Sequence, residues 1–347
     1  MDPSDSTAVD GGARDGGRVD VPAPLARLLR CPRCQVALDD RPGCPSCGIT
    51  PGHDTGVLLD FLGAGDDRLD VPEPAVNAFY EARPFPGYNP ADDATSLLDR
   101  CRMSPFLEAF DRATPADALM LDAGCGTGQI SNFMALSSAR RTVVGVDACR
   151  ASLGEALGFK LQAKVENVHF VRGDLLNMPI AEGAFDVVNC RGVVHHNSDW
   201  KAATRRVARH VKPGGILLLG IYENVARMPH RLRRQLAKAL GKRNPLRLFD
   251  PILRRRDLDE EKKQTWIEDQ YHHPLEWCLS FTEALQVVEA EGFEWVRSVP
   301  PVPGREGLFD GEARPSNLSL LGRRIGWALS KDDEDAGLVC LVARRIG

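Results

Sequence analysis

The chain has 347 residues, 43% of them hydrophobic, enough for one large or two small domains around a real core. With 44 basic against 48 acidic side chains the formal net charge is -4, which excludes a polycation built to coat nucleic acid and makes any basic partner surface local. No apolar run approaches the roughly 18 residues needed to span a bilayer, and the acidic, Gly-rich start carries no apolar signal core. A cytoplasmic location is therefore expected, and the ten cysteines read as thiols or metal ligands rather than a disulfide framework.

Residues 1–24 hold small and acidic residues without periodicity and are expected to form a disordered tail. Next comes CPRCQVALDDRPGCPSCG, in which Cys31 and Cys34 are followed, after nine intervening residues, by Cys44 and Cys47. Each C-x-x-C can wrap two thiolates around one ion, and two such knuckles complete the closed tetrahedral site that Zn²⁺ prefers. The rival reading is a redox C-x-x-C. With four protein ligands no coordination position stays open, so the metal would be structural and residues 25–70 would form a zinc-ribbon module.

From residue 115 short apolar runs alternate with amphipathic stretches: ALMLDAG, TVVGVDA, VHFVRGD, FDVVNCRG and GGILLLGIY. That alternation predicts an α/β fold with a doubly wound, mostly parallel sheet covered by helices. Helices are expected at 127–138, 149–163 and 199–211, the last stopped by Pro213 and Gly214, and later at 281–291, ahead of the strands FEWVRSVP and GLVCLVARR.

LDAGCGTGQ follows the first of these strands and opens the first helix, with glycines at Gly124, Gly126 and Gly128. A dinucleotide fingerprint would place its third glycine three residues after the second, over a pyrophosphate; here it comes two residues after. Asp122 puts a carboxylate at the strand end, awkward beside phosphates but suited to an ammonium group, so a cationic, phosphate-free nucleoside fits better. Asp147 ends the second strand, where a carboxylate can accept both ribose hydroxyls. Asp174 ends the third, toward an adenine edge. Asp186, just ahead of the fourth strand, reads as a turn or capping carboxylate.

Taken together these motifs resemble the class I S-adenosylmethionine-dependent methyltransferases. LDAGCGTGQ is similar to that family's glycine motif, VVGVDA to its ribose-binding strand, GDLLNMP to its adenine-side motif, FDVVNCRGVVHH to its fourth-strand motif and VKPGGILLLG to its fifth. The resemblance covers about residues 76–347, within a domain expected at 71–347, and implies a Rossmann-like, seven-stranded sheet with a reversed last strand, binding S-adenosyl-L-methionine. Asp122, Gly124, Cys125, Gly126, Gly128, Gln129, Asp147, Ala148, Asp174, Leu175, Cys190 and Arg191 are the implied cofactor-binding residues. NAFYEARPFPGYN resembles the segment that covers the cofactor in part of this family. DQYHHPLEW, residues 269–277, and the basic stretch before it resemble an uncharacterised bacterial branch.

Methyl transfer from a sulfonium is an in-line displacement that alignment and water exclusion can largely catalyse; a base is needed when the nucleophile must lose a proton. His195 and His196 follow the fourth strand, where an open α/β sheet faces its ligand crevice. His195 is the first candidate for base or acceptor orienter, and His196 the alternative. Metal binding by the pair is disfavoured because adjacent residues on extended chain face opposite ways. Tyr80 is a candidate to close over the site and orient His195, and Tyr88, beyond ARPFPG, is its rival; packing accounts for either equally well.

An insertion at about 224–276 carries eleven Lys or Arg between Arg227 and Arg256, against Asp250 alone. It reads as a helical lid whose Leu232, Leu236 and Leu240 pack on the core while Arg231, Arg233, Arg234 and Lys238 face water or an anionic acceptor. The expected activity is methyl transfer to an oxygen or nitrogen of a small or medium metabolite. A tRNA or rRNA methyltransferase using ribbon and insertion to hold RNA is the alternative. A cofactor-binding adaptor without catalysis is another, and a segment lying on an anionic membrane is a further reading of the insertion.

Overall fold

The computed structural model describes residues 21–38, 43–54, 58–63, 69–89, 91–240, 246, 250–256, 260–304, 306–329 and 337–347. The strands are β1 (Gly52–Asp54), β2 (Leu58–Asp60), β3 (Leu119–Ala123), β4 (Thr142–Asp147), β5 (Val168–Arg172), β6 (Phe185–Arg191), β7 (Val211–Tyr222), β8 (Phe293–Val299) and β9 (Leu338–Arg345). They form one sheet in the order β1-β2-β5-β4-β3-β6-β7-β9-β8. Strands β5, β4, β3, β6 and β7 run parallel, and β9 enters antiparallel between β7 and β8. The seven-stranded, Rossmann-like sheet with one reversed strand is thus present as β3–β9, and the hairpin β1–β2 lengthens it.

Alternation along each strand builds two apolar layers. Leu121, Val144, Val188 and Leu217 pack on one side of the sheet, and their neighbours Met120, Val143, Val187 and Leu218 on the other. Full burial of each such side chain contributes about 1.5–3 kcal/mol, so both faces must be covered. Helices Gln129–Ser137 and Arg150–Gln162 lie within the expected spans. The third helix, Trp200–Ala208, is shorter than expected: Asp199 caps it by accepting from Ala202 N at 2.9 Å, and β7 already begins at Val211. Pro213 and Gly214, read as its stop, instead occupy an irregularity of β7, where the pairing with β6 shifts register between Phe185 and Val187. Asp186 is inside β6 rather than ahead of it, and accepts from Leu119 N at 2.8 Å, clipping the start of β3 to its neighbour.

The N-terminal segment is joined to the sheet. β2 pairs parallel with β5 through Leu59↔Val171 and Asp60↔Arg172. The buried Asp60 carboxylate receives Arg172 at 3.1 Å, Arg150 at 2.5 Å and Leu62 N at 2.9 Å. Leu25, Leu28, Leu29 and Leu38 share an apolar cluster with Val171, Met178 and Ile180. The expected tail is therefore too long: Ala23–Ala26 is a helical turn with Leu25 buried, and the tail reading for residues 1–20 lies outside the described residues. No helix among the described residues is long and apolar enough to cross a membrane.

The leucine stripe of the basic insertion is packed the other way round from the expectation, whereas Arg231 is exposed as expected. Helix Met228–Leu240 exposes Leu232 (60%) and Leu236 (44%), while Arg227, just before it, is completely buried and His230 nearly so; the Lys238 and Leu240 side chains lie outside the described residues. The physical reason is a set of polar partners beneath the helix: Glu276 takes Arg227 at 2.6 Å and Arg234 at 3.7 Å, and His230 Nε2 meets the Gln270 carbonyl at 2.9 Å. Asp250 is equally internal, accepting from Tyr271 OH at 2.6 Å and Trp266 Nε1 at 3.2 Å. The acidic side chain that looked like an exception in a basic surface is the knot of a small core with Leu253 and Ile267.

Candidate functional site

The chain leaves β3 in one direction to build β4 and β5 and returns on the other side for β6 and β7, which opens a crevice at the strand carboxyl ends. A cavity of about 400 Å³ occupies it. Its lining includes Asp122, Gly124, Cys125, Gly126, Gln129, Asp147, Ala148, Asp174, Leu175 and Arg191.

The glycine loop owes its shape to contacts that only glycine tolerates. At Gly124, with φ +76°, an added Cβ would meet Val193 Cγ1 at 2.4 Å; at Gly128, with φ +69°, it would meet Ala156 at 2.7 Å. Gly128 does not line the cavity. It caps helix Gln129–Ser137 and lets it close on Ala156 and Phe170, so its expected cofactor role becomes a packing role. Cys190 is likewise fully buried in the apolar layer and absent from the cavity wall, because the pleat turns it away from the side that Asn189 and Arg191 face.

Asp122 lies opposite Asn189 in the sheet and accepts from its Nδ2 at 2.7 Å and from Ser131 Oγ at 2.6 Å. Burial pushes its carboxyl up, partly countered by those two bonds. Asn189 Oδ1 and Asn77 Oδ1, both on residues of the cavity wall, are buried and accept nothing among the described residues. Unpaired acceptors beside a desolvated carboxylate fit the ammonium and amine groups of S-adenosylmethionine, whose donors would satisfy them. Asp147 takes Gly126 N and Cys149 N at 2.8 Å each, which fixes its carboxylate at the mouth of the glycine loop with lone pairs to spare for hydroxyls. Asp174 accepts from Leu176 N at 3.0 Å and Asn177 Nδ2 at 3.2 Å and so caps the turn on the far wall. The covering segment is tied down: Gln129 Nε2 donates to Gly87 O at 2.9 Å, and Thr127 Oγ1 donates to Pro86 O.

The two histidines part company. His195 is fully buried off the cavity, its ring 4.1 Å from that of Tyr222 and its Nδ1 accepting from Tyr222 N at 3.3 Å. His196 lines the cavity. Its Nδ1 donates to Leu275 O at 2.8 Å, which leaves Nε2 unprotonated, and burial pulls its pKa down to about 4. The His273 ring lies against it, tilted by 31° with ring centres 3.8 Å apart, whereas His272 is exposed. Tyr80 reaches the cavity but orients neither histidine: its hydroxyl donates to Asp269 Oδ1 at 3.0 Å. Tyr88 stacks on Phe159 at 4.5 Å and belongs to the core.

Asp269 is the group the motif reading missed. It sits in helix Glu260–His272 among Tyr80, Tyr222, Trp266 and Gln270 of the cavity wall, and burial raises its pKa to about 6 despite bonds from Tyr80 and Gln270. Gln270 Nε2 donates to Asp269 Oδ2 at 2.7 Å and to Tyr222 OH at 2.9 Å, while its Oε1 accepts from Arg227 at 3.0 Å. Arg227 stacks 3.4 Å above the Tyr222 ring. The signal was in DQYHHPLEW, but a lone carboxylate in a helix with little apolar periodicity announces no role until the helix is folded over the sheet.

The four ribbon cysteines converge: their sulfur atoms all lie within 4.8 Å of one another, with Cys31 and Cys47 at 3.4 Å and Cys34 and Cys44 at 3.3 Å. That donor set is compatible with a closed zinc site.

Comparison with known proteins agrees with the sheet. Residues 121–219 match the family described as Methyltransferase domain. An uncharacterized protein of Synechococcus is 28% identical over 245 residues, covering 64% of this chain and 59% of that protein. An uncharacterized methyltransferase of Bacillus subtilis is 36% identical over 104 residues, 30% of this chain and 40% of that one. A ubiquinone biosynthesis O-methyltransferase of Pseudomonas putida is 37% identical over 106 residues, 30% of this chain and 44% of that enzyme. The chain thus spans between 40% and 59% of the length of these relatives.

Proposed function

We propose that this chain, with its methyltransferase domain match at residues 121–219, transfers a methyl group from S-adenosylmethionine to an oxygen or nitrogen of a small or medium acceptor. One observation carries the reading: the cavity that begins at the glycine loop contains a buried carboxylate, Asp269, whose pKa of about 6 suits a base at neutral pH. The name of the Pseudomonas putida relative supports oxygen as the accepting atom. Bound S-adenosylmethionine would supply the electrophilic methyl group. Asp122, Asn189 and Asn77 would hold its ammonium and amine donors, Asp147 its hydroxyls, and Leu175 and Ala148 its apolar ring.

The chain's own work is then positioning and proton removal. Asp269 takes the acceptor's proton, Tyr80 and Gln270 hold its carboxylate in place, and Tyr222 OH, which accepts from Gln270, keeps a proton to donate to the acceptor. His196 stays neutral at pH 7 and contributes an acceptor nitrogen to the wall rather than the main base. An acidic cavity wall with Arg227 paired behind Tyr222 does not favour the anionic acceptor that the basic insertion suggested.

Adding S-adenosylhomocysteine at a hundred times its dissociation constant is expected to stabilise the fold by about 2.7 kcal/mol; absence of both a thermal shift and calorimetric binding would remove the cofactor assignment. Labelled-methyl transfer to pooled small acceptors then tests catalysis, since a binding adaptor would be stabilised but yield no product. The N-terminal module, residues 25–70, is read as a zinc ribbon. Metal analysis should find one zinc per chain, lost when Cys31 and Cys34 become serine; a folded, metal-free native chain would contradict it.

A further inference from the structure

Of the twelve large apolar side chains exposed among the described residues, eight lie on three neighbouring elements. Met228, Leu232 and Leu236 follow one face of helix Met228–Leu240. Leu318, Leu321, Ile325 and Leu329 follow one face of helix Asn317–Leu329, with exposures of 79%, 45%, 48% and 77%, and Trp277 is 47% exposed between the two elements in sequence. Each helix pairs arginines inward, while Arg231 stays exposed. Arg323 is held by Glu312 at 2.6 Å and Arg324 by Glu223 at 2.8 Å, as Arg234 is by Glu276. A soluble helix ordinarily does the reverse, burying its apolar stripe and exposing its charges.

The three elements meet at the end of β7. Arg324 also donates to Asn224 at 2.7 Å, Glu276 pairs with Arg227, and Leu279 N donates to Tyr222 O at 2.8 Å. Tyr222 and Gln270, directly beneath, line the cavity, so the apolar stripes lie at the cavity end of the sheet. The insertion between these elements is basic in sequence, with eleven Lys or Arg between Arg227 and Arg256 against Asp250 alone, and among its described residues Arg231, Arg254 and Arg256 are exposed. A molecule of net charge -4 has therefore gathered basic side chains beside its exposed leucines.

We propose that these stripes dock the chain on an anionic phospholipid bilayer, the leucines and Trp277 entering the headgroup boundary and the basic side chains facing the lipid phosphates. A second copy of the chain matches the surface less well, because facing two such ends would bring two basic segments together. The docking stands apart from the methyl-transfer reading and needs no cofactor.

The test is co-sedimentation of the full chain with vesicles of phosphatidylcholine alone and with about 30% phosphatidylglycerol. The native chain should bind the anionic vesicles at least about tenfold more tightly, and salt should weaken that preference. Leu232→Glu with Leu236→Glu, and separately Leu321→Glu with Ile325→Glu, should each weaken binding by about tenfold or more while leaving the thermal transition in place, because these side chains are already exposed. Arg231→Glu with Arg256→Glu should remove the anionic preference. Failure of the native chain to bind either vesicle, or unchanged binding by both leucine pairs, overturns the proposal. So does a concentration-dependent dimer that the leucine substitutions dissolve while vesicles remain unbound, an outcome that assigns the face to a second copy.

Discussion

Asp269→Asn is expected to lower turnover at saturating cofactor by about 10²- to 10⁴-fold while S-adenosylhomocysteine affinity changes by no more than about twofold. The side chain keeps its shape and its bonds from Tyr80 and Gln270 have amide or oxygen partners still available, so the loss measures the missing base rather than a collapsed wall. The pH dependence has a definite sign. Burial raises the Asp269 pKa to about 6, so the base form is scarce below that value and kcat should climb through pH 6 to a plateau near neutrality. The same shift acts on stability in the opposite sense. A carboxyl whose folded pKa lies above its unfolded value favours folding at low pH, and that contribution is lost as pH rises through about 6. Asp269→Asn should remove the acidic limb of the rate profile and flatten this part of the stability curve. Native-like turnover with a limb nearer pH 4 would return the base role to His196, whose pKa burial lowers to about 4.

Asp60→Ala should destabilise the chain by about 3–5 kcal/mol, read as a lowered denaturant midpoint, because it strips the partner from a buried guanidinium. Arg172 and Asp60 are both nearly inaccessible, and the carboxylate also anchors Leu62 N and Arg150. Adding Arg172→Leu to Asp60→Ala removes the stranded charge and should recover part of the loss. A cost below about 1 kcal/mol for Asp60→Ala would mean that the pair is solvated and that β2 is held to β5 by backbone pairing and apolar contacts alone. The effect has a route to the cofactor site, since Arg172 Nε donates to Ala148 O at 2.8 Å and Ala148 lines the cavity.

How far the sequence could be read depended on whether a residue's role is set locally. Gly124 and Gly126 were legible because a tight strand-to-helix turn demands positive φ at a fixed offset from the strand, and both have it. Asp147 and Asp174 were legible because strand carboxyl ends face the crevice in any parallel α/β sheet, and both line it. His195 and His196 were not separable: they occupy a short 3₁₀ turn, where the alternation of an extended strand no longer decides which side chain faces inward. Cys190 was misplaced for a related reason, a one-residue question of pleat that the motif cannot answer.

The insertion shows the limit most plainly. Its leucine spacing defines a helical stripe, but not which side of the helix finds partners. Glu276 and Gln270, from 40 to 49 residues away along the chain, together with Tyr222 at the end of β7, captured Arg227, His230 and Arg234, and the stripe turned outward.

By itself, the sequence determined the α/β alternation, the glycine loop, the acidic strand ends and the paired C-x-x-C knuckles, because each rests on spacing within one element or one turn. Only the tertiary structure decided that the N-terminal hairpin extends the sheet, that His196 rather than His195 faces the cavity, and that Asp269 lines the same cavity as the glycine loop. Those depend on contacts between elements distant in the chain, where burial, and not spacing, sets a side chain's direction and its charge.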